Sequence, residues 1–426
     1  MTQSAALADL DRRALVAAAQ EALPQMLADI ERVISIETPS DDQEAVARGA
    51  ADFAALIEER LGVAPESLVI DGTTHLRLRF GDGPARVVLV NHQDTVWPHG
   101  TLERLPFSTE DGILRGPGSF DMLTGAIMSV WATRLLLAAA GVPVPDAGNA
   151  AGASADGGTS GAAGNPGAAG ASGTALSPAE ALAGLSILVT GDKEIGSVTS
   201  SDLIRAEAKE ARAVYVMEAS AGGALKLSRK GTSMYTILVH GKAAHAGLEP
   251  EKGIHAGLEL AHQMQVVAGL ADAAAQTTVT PTKFSGGTTT NTVPALGQFD
   301  VDVRALTAEE QQRVDDAVRG LTPSIEGTRI EVRGGINRPP FEKEMSAALF
   351  DRAVALAAEL GIEEPRGVPV GGASDGNFTA GDGIPTLDGL GAVGDGAHAE
   401  HEHAIIEHIP PRTALLAALV ADALTA

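Results

Sequence analysis

Three short runs of apolar and β-branched residues, each leading directly into polar or charged side chains, constrain the fold of this chain most. The runs span residues 87–90, 186–190 and 213–217, and helical patterns lie between them. Buried strands that alternate with helices are typical of βαβ units, in which the strands form a largely parallel sheet. Ligands collect at the carboxyl ends of such strands. The sequence therefore predicts an α/β domain whose functional residues come directly after these runs.

Helical patterns flank these runs. Apolar residues recur at helical spacing from residue 10 to about residue 36 and again over residues 43–61, which predicts two helices that cover one face of the sheet. The long apolar stretch at residues 125–141 contains Arg134 and is too short to span a bilayer comfortably. A buried helix is the better interpretation of that stretch.

A different pattern occupies the chain from about Lys226 to Gly335. It predicts a strand, a helix, two strands, a helix and a strand at residues 234–239, 253–270, 277–284, 297–303, 308–321 and 328–332. A four-stranded antiparallel sheet with both helices on one face is the natural packing for this order. Regular patterns resume after Arg338. Residues 1–225 and 337–426 are therefore predicted to form one domain, and residues 226–336 an inserted α+β domain.

The composition excludes several classes of function. Asp and Glu total 55 against 31 for Lys and Arg, and the net charge of −24 repels nucleic acid and anionic membranes. The chain has no cysteine, so any metal ion must bind to histidines and carboxylates. The first residues lack the pattern of a signal or transit peptide, which favours a cytoplasmic protein.

Residues 145–174 consist only of Ala, Gly, Ser, Thr, Asn, Asp and Pro. Such a segment has little to bury and much backbone entropy to lose, so the sequence predicts a disordered surface insertion. The alternative is a tether that binds a partner, but tracts of this composition usually act as plain flexible linkers.

Several side chains that can bind a metal ion follow the predicted strands. His92 comes directly after the first run, and Asp94 lies two residues further on, where alternate residues of an extended segment point to the same side. Asp121 follows a Gly/Pro turn, and a carboxylate held there can bridge two cations through its two oxygens. Taken alone, the first pair is equally compatible with a surface His–Asp pair, and the Asp with an ordinary turn.

The remaining candidates complete a set of metal ligands. Glu194 and Glu218 follow the next two runs, and His398 lies in a late loop. Together with His92 and Asp121 they supply two imidazoles and three carboxylates, a set that matches a two-metal hydrolase site. The alternative is that these acids and histidines are structural and bind no metal.

With these motifs in place, the chain resembles the M20 family of metallopeptidases, and in particular its glutamate carboxypeptidase branch. The resemblance covers nearly the whole chain except the Gly/Ala-rich insertion. The motifs that carry it are HQDTV at 92–96, GPGSFDM at 116–122, EIGS at 194–197, the Glu of VME at 218, GKAAHAG at 241–247, NTVPA at 291–295, GGASDGN at 371–377 and GAH at 396–398.

The resemblance implies a pair of divalent metal ions, expected to be zinc. By this resemblance His92 and Glu218 bind one ion, Glu194 and His398 bind the other, and Asp121 bridges both. It further implies release of a C-terminal amino acid, with glutamate as the expected type, from a small peptidyl or N-acyl substrate.

The inserted domain resembles the lid of this family, through which its members usually dimerise. His245 matches a lid histidine that reaches the neighbouring subunit's site and stabilises the oxyanion of the tetrahedral intermediate. Lys226, Asn291, Arg304 and Arg338 match positions that bind a substrate carboxylate or line its pocket. Each of these residues taken alone is also compatible with an ordinary surface position.

Three positions beside the expected ligands also bear on the resemblance. Asp94 matches the carboxylate that orients His92. The family has a glutamate immediately before the EIGS motif, which takes a proton from the attacking water and passes it to the leaving amine. This chain has Lys193 there, and the lysine that usually follows the DM dipeptide is replaced by Leu123. A lysine with an ordinary pKa of about 10.4 is protonated at neutral pH and cannot accept a proton.

Three interpretations of Lys193 are compatible with the sequence. Nearby cations could lower its pKa and make it a working base, Asp192 or a free water could substitute at a reduced rate, or the protein could bind its ligand without hydrolysing it. The corresponding function hypotheses are a metal-dependent hydrolase and a catalytically impaired, ligand-binding member of the same family. In the histidine-rich loop, only His398 is predicted to bind metal, and His401 and His403 are predicted to face solvent.

Overall fold

The structure is a computed structural model that describes Leu7 and residues 10–145 and 176–426. Its helices are α1 (Arg12–Ile34), α2 (Gln43–Leu61), α3 (Thr101–Arg104), α4 (Leu123–Ala139), α5 (Pro178–Ala181), α6 (Ser201–Ala208), α7 (Ala256–Ala268), α8 (Ala308–Arg319), α9 (Glu344–Leu360), α10 (Gly376–Gly381) and α11 (Ile409–Thr425). Apart from Pro145, the predicted disordered insertion at 145–174 lies outside the described residues.

The described residues form sixteen strands. They are β1 (Glu66–Ile70), β2 (Thr73–Arg79), β3 (Val87–His92), β4 (Ser108–Glu110), β5 (Ile113–Arg115), β6 (Leu185–Thr190), β7 (Ala213–Val216), β8 (Leu225–Arg229), β9 (Gly231–His240), β10 (Thr278–Gly286), β11 (Leu296–Ala305), β12 (Arg329–Arg338), β13 (Gly367–Val370), β14 (Thr386–Leu387), β15 (Gly394–Asp395) and β16 (His403–Ile405).

The chain divides into two compact units. The first contains Met1–Leu225, Leu349–Arg366 and Leu387–Ala426, and the second contains Lys226–Ala348 and Gly367–Thr386. The second unit thus extends beyond the predicted bound at residue 336. The segment Gly367–Thr386 belongs to the second unit because β13 pairs with β8 and because the Asn377 amide donates to the carbonyl of Pro339 at 2.8 Å.

The first unit is built on a sheet in the order β1–β2–β6–β3–β7–β14. Its centre is parallel, since β3 pairs in parallel with both β6 and β7, whereas β1 and β2 form an antiparallel edge. Every residue of β3, β6 and β7 is buried, which is typical of strands covered on both faces. The prediction of an α/β domain with a largely parallel sheet is confirmed.

Helix α4 places the backbone that follows Asp121 against the end of β7. The helix is buried along nearly its whole length, so the predicted buried helix is confirmed. The approach is close at Gly125, where an added Cβ would lie 2.1 Å from the carbonyl oxygen of Met217. Only glycine permits this contact, and it brings the start of α4 beside Glu218, the residue after Met217.

The second unit contains a four-stranded antiparallel sheet in the order β10–β11–β9–β12. Helices α7 and α8 share one hydrophobic core with this sheet, which includes Tyr235, Leu260, Phe299 and Val314. The predicted order and the placement of both helices on one face are confirmed. The last strand was predicted to end at residue 332, but it continues to Arg338 because β9 offers pairing partners as far as Thr232.

Candidate metal centre

His92 is the last residue of β3, and its ring is held in one orientation. Its Nδ1 donates to the backbone carbonyl of Asp94 at 3.0 Å and lies 3.4 Å from the Asp94 carboxylate. A carbonyl oxygen only accepts, so the hydrogen of the neutral ring is on Nδ1. The other nitrogen, Nε2, points to Asp121 at 3.1 Å and is the atom available to bind a cation.

The five predicted metal ligands come together in the first unit, on two sides of the Asp121 carboxylate. On one side, Nε2 of His92 lies 3.1 Å from Oδ1 of Asp121 and 3.8 Å from Oε1 of Glu218. On the other side, Nε2 of His398 lies 3.3 Å from Oδ2 of Asp121 and 3.3 Å from Oε1 of Glu194. Imidazole nitrogens and carboxylate oxygens in such proximity are the donors that bind zinc and similar divalent ions. The donor set therefore fits metal ions.

The centre attracts positive charge. Burial by itself raises the pKa of Asp121, but Lys193 and hydrogen bonds to His398 and His92 outweigh burial and hold that pKa well below its usual value. Hydrogen bonds to Asp121 and Glu194 raise the pKa of His398 to about 10. Asp121 is consequently ionised at neutral pH, which is the form in which a carboxylate binds a cation.

Lys193 reaches into the middle of this donor set from a short 3₁₀ turn at Lys193–Ile195. Its Nζ lies 3.1 Å from Oδ1 of Asp121, 3.2 Å from Oε1 of Glu194 and 3.1 Å from Oε1 of Glu218, and its side chain is only 9% exposed. Burial alone lowers the pKa of Lys193, but the attraction of the three carboxylates is stronger and raises it well above its usual value. Without bound cations, the three carboxylates thus hold Lys193 in its protonated form. The interpretation of Lys193 as a base whose pKa is lowered by bound cations stays a prediction.

The Asp94 carboxylate holds the backbone on which Lys193 and Glu194 lie. Its Oδ1 accepts from the backbone N–H of Lys193 at 3.1 Å, and its Oδ2 accepts from that of Glu194 at 3.0 Å and from the hydroxyl of Ser40 at 2.6 Å. Asp94 is fully buried. Asp94 therefore contacts two predicted ligands. Its backbone carbonyl and its carboxylate face the His92 ring, and its carboxylate accepts from the backbone N–H of Glu194.

Asp192 is also buried, but its hydrogen bonds lead away from the donor set. Its two oxygens accept from the backbone N–H and hydroxyl groups of Thr199 and Ser200, at distances of 2.5–3.2 Å. Both oxygens are engaged in fixing the loop that leads into α6. This arrangement argues against Asp192 as a replacement for the missing general base.

Glu402 is a residue of the centre that the sequence did not single out. Its Oε1 accepts from the backbone N–H of Phe120 at 2.9 Å and of Asp121 at 3.0 Å. Its Oε2 accepts from the backbone N–H of Gly118 at 3.0 Å and from the indole N–H of Trp97 at 2.8 Å. One buried carboxylate thus ties the segment that follows His398 to the loop that carries Asp121. Its position four residues after a predicted ligand was the only available signal.

Four of the five predicted residues of the second unit fall into two groups along β9. Arg304 and Arg338 both lie opposite Thr232, on the strands that flank β9. Asn291 and His245 lie together beyond the other end, where the backbone N–H of Ala246 donates to the Asn291 carbonyl at 2.8 Å. His240 marks that end of β9, and eight steps of about 3.3 Å separate it from Thr232, or roughly 26 Å. Residues at the two ends cannot contact one substrate group within this sheet.

The side chains in these two groups differ in the partners that they have within the second unit. The Arg304 guanidinium pairs with both oxygens of Asp302 at 2.9 Å, and that of Arg338 pairs with Asp375 at 3.0 Å. The exposed His245 accepts at Nδ1 from the backbone N–H groups of Gly247 and Leu248. Because those groups can only donate, the neutral His245 ring carries its hydrogen on Nε2. Lys226, the remaining predicted residue, lies on β8.

Comparison with known proteins identifies the family. Residues 88–422 match the model of peptidase family M20/M25/M40. The chain belongs to this family. Carboxypeptidase G2 of Pseudomonas sp. (strain RS-16) is 29% identical over 438 residues, which cover 98% of this chain and 94% of that protein. The predicted resemblance to the M20 family is confirmed, and the chain is a metal-dependent hydrolase of this family.

Solved structures of M20 proteins share the fold. A metallo-carboxypeptidase of the M20 family from Sulfolobus solfataricus gives a TM-score of 0.63 at 14% identity and covers 94% of this chain and 99% of that chain. A dinuclear metal-binding M20 peptidase from Bacillus subtilis gives a TM-score of 0.57 at 13% identity and covers 95% of this chain and 99% of its own. Within the described residues of this M20 protein, no helix is long and apolar enough to cross a membrane.

Proposed function

We propose that this protein is a metal-dependent carboxypeptidase or amidohydrolase that releases a C-terminal amino acid, of glutamate-like type, from a small peptidyl or N-acyl substrate. The observation that carries the proposal is the convergence of two imidazoles and three carboxylates around Asp121. The similarity to carboxypeptidase G2 over nearly the whole chain supports the carboxypeptidase reaction. The glutamate-like type is the expectation from the motifs that resemble the glutamate carboxypeptidase branch.

The donor set divides into two groups that share Asp121, which supports sites for two divalent ions, with zinc as the expected metal. His92 and Glu218 would hold one ion, and Glu194 and His398 the other. When bound, such ions act as Lewis acids toward a carbonyl oxygen and make water more acidic. Asp94 would fix the first group, because it holds the His92 ring by its backbone carbonyl.

His245 is proposed to donate a hydrogen bond to the oxyanion that forms during amide hydrolysis. The hydrogen on Nε2 supports this role, since an oxyanion needs a donor that requires no reorganisation. Lys226, Asn291, Arg304 and Arg338 are proposed to bind the substrate or line its pocket. The roughly 26 Å between the two ends of β9 supports a homodimer in which each subunit contributes one group to each site.

A second candidate function is ligand binding without turnover. The observation that favours it is the buried Lys193 ammonium among three carboxylates, at the position where the family has a glutamate base. A general base contributes about 10²- to 10⁴-fold to the rate, so metal-assisted hydrolysis could continue slowly without one. The two candidates therefore differ in the rate of product release rather than in the site.

The decisive experiment is a hydrolysis screen with metal-loaded protein. Native protein, Lys193→Glu and His92→Ala are incubated with a panel of N-acyl amino acids and dipeptides, and released amino acid is quantified. We expect slow, metal-dependent release by native protein, faster release by Lys193→Glu and none by His92→Ala. Release by Lys193→Glu alone would favour the ligand-binding function, and no release by either protein would refute the proposed hydrolysis.

A cytoplasmic location is a further proposal, which cell fractionation tests.

A further inference from the structure

We propose that the Lys193 ammonium takes the place of one divalent ion, so that the native protein binds one metal ion tightly and a second ion only weakly. This inference rests on the proposed metal centre and specifies how that centre is occupied. It concerns the number of bound ions and their affinities, which are measurable whether or not the protein turns over a substrate.

The Lys193 ammonium contacts the carboxylate that both donor groups share. The Lys193 Nζ lies 3.1 Å from Oδ1 and 3.2 Å from Oδ2 of Asp121, so it contacts both oxygens of the shared carboxylate. The same two oxygens face His92 and His398. An ion bound by either histidine must therefore share Asp121 with the ammonium, and two ions would compete with it for both oxygens.

The net charge of the donor set also limits the number of ions that bind tightly. Asp121, Glu194 and Glu218 carry three negative charges when ionised, and their side chains are at most 10% exposed. One ammonium and one divalent ion neutralise these three charges. A second divalent ion would add two positive charges beside these largely buried carboxylates, where like charges a few ångströms apart repel one another.

Several contacts hold the Lys193 ammonium in place. The backbone N–H of Lys193 is anchored to Asp94 at 3.1 Å, and the side chain is 9% exposed. Its head group contacts carboxylates from both donor groups, Glu194 and Glu218. Displacement by a second ion requires the charged head group to leave all of these partners at once. The second ion should bind on the order of 10³-fold more weakly than the first, as expected for repulsion between charges at a partly solvated site.

The test is a metal titration of chelator-stripped protein. Native protein, Lys193→Met and Lys193→Gln are titrated with Zn²⁺ by calorimetry, and the metal retained after desalting is measured by mass spectrometry. Lys209→Met is the matched control, because Lys209 is an exposed lysine at the end of α6 in the same unit. All proteins carry His401→Gln and His403→Gln, so that these two histidines near His398 add no ions to the count.

We expect native protein and Lys209→Met to retain about one ion per chain, and both Lys193 variants to retain about two, with the second ion bound on the order of 10³-fold more tightly than in native protein. Two tightly bound ions in native protein, or one ion in all variants, would overturn the inference while leaving the proposed metal centre intact. No ion in any folded variant, with folding checked by circular dichroism, would overturn both.

Discussion

Replacement of Glu402 by glutamine tests whether one carboxylate holds the Asp121 loop in place. In the native protein this carboxylate accepts four hydrogen bonds, two at each oxygen. A glutamine keeps one accepting oxygen and turns an NH₂ group toward the other two donors, whichever way the amide lies. A buried N–H that loses its acceptor costs about 1–3 kcal/mol, so two such groups cost about 2–6 kcal/mol. Part of this loss is offset because glutamine carries no charge. Burial raises the pKa of Glu402, which means that burial disfavours the charged form of this carboxylate, and the replacement removes that unfavourable contribution. We expect a net destabilisation of about 2–4 kcal/mol.

Both tryptophans of the chain, Trp97 and Trp131, lie in the first unit, so fluorescence during urea unfolding of metal-free protein reports on the unit that contains Glu402. The matched control is Glu400→Gln, because Glu400 is exposed and forms a surface ion pair that contributes at most about 1 kcal/mol. Calorimetry should also show weaker zinc binding by Glu402→Gln. Equal free energies of unfolding and equal zinc affinities for the two variants would refute the assigned role.

Three further predictions concern other parts of the fold. Gly125→Ala should destabilise the protein by several kcal/mol, on the order of the cost of severe overpacking. The added Cβ would lie 2.1 Å from the Met217 carbonyl oxygen, and thermal unfolding measures the loss of stability. Arg60→Met should cost about 3–5 kcal/mol in urea unfolding, because it leaves the buried Asp29 carboxylate without its cation. Glu310→Gln should alter the pH dependence of stability, because a hydrogen-bonded arginine lowers the pKa of Glu310 from 4.5 to about 2. Its contribution is present above pH 4.5 and lost as the pH falls toward 2, so circular dichroism should show the variant less stable than native protein at pH 7 and increasingly similar to it below pH 4.

Each of these predictions has its own control. Gly83→Ala should change stability by less than about 0.5 kcal/mol, since nothing lies within 4 Å of the added Cβ. The double variant Asp29→Leu, Arg60→Met should recover much of the stability lost in Arg60→Met. Arg313→Gln, which removes the partner of Glu310, should reproduce the pH dependence of Glu310→Gln. Equal melting temperatures of Gly125→Ala and Gly83→Ala, no recovery in the double variant, or an unchanged pH dependence would each contradict the corresponding assignment.

The sequence predicted the parts of the fold that depend on local patterns. The three apolar runs became β3, β6 and β7 because strands buried on both faces leave a continuous apolar signature. The inserted β-α-β-β-α-β order was also predictable. Apolar residues recur with a period of about two residues in half-buried strands and about 3.6 residues in helices, so the two kinds of element can be told apart. The placement of Gly367–Thr386 in the second unit was not predicted, since it depends on pairing of β13 with β8, more than a hundred residues earlier.

The same distinction holds for the candidate metal centre. The five ligands were predicted because each follows a strand or a turn in a motif of its own, and the structure brings them together. Glu402 was not predicted, because its partners lie about 280 residues away in the chain and no local pattern marks it. The substitution at Lys193 was visible in the sequence, but its contact with three carboxylates depends on the tertiary arrangement of residues 121, 194 and 218.

The hydrogen bonds of Asp94 bear on how this site can evolve. Asp94 holds the peptide groups of Lys193 and Glu194 through their backbone N–H groups, and these bonds do not depend on the side chain at position 193. Codons for glutamate and lysine differ in a single nucleotide, so one mutation reverses the charge in the middle of the donor set while the backbone that carries Glu194 stays anchored. Position 193 is thus a point at which selection can change the chemistry of the centre without first rebuilding its frame.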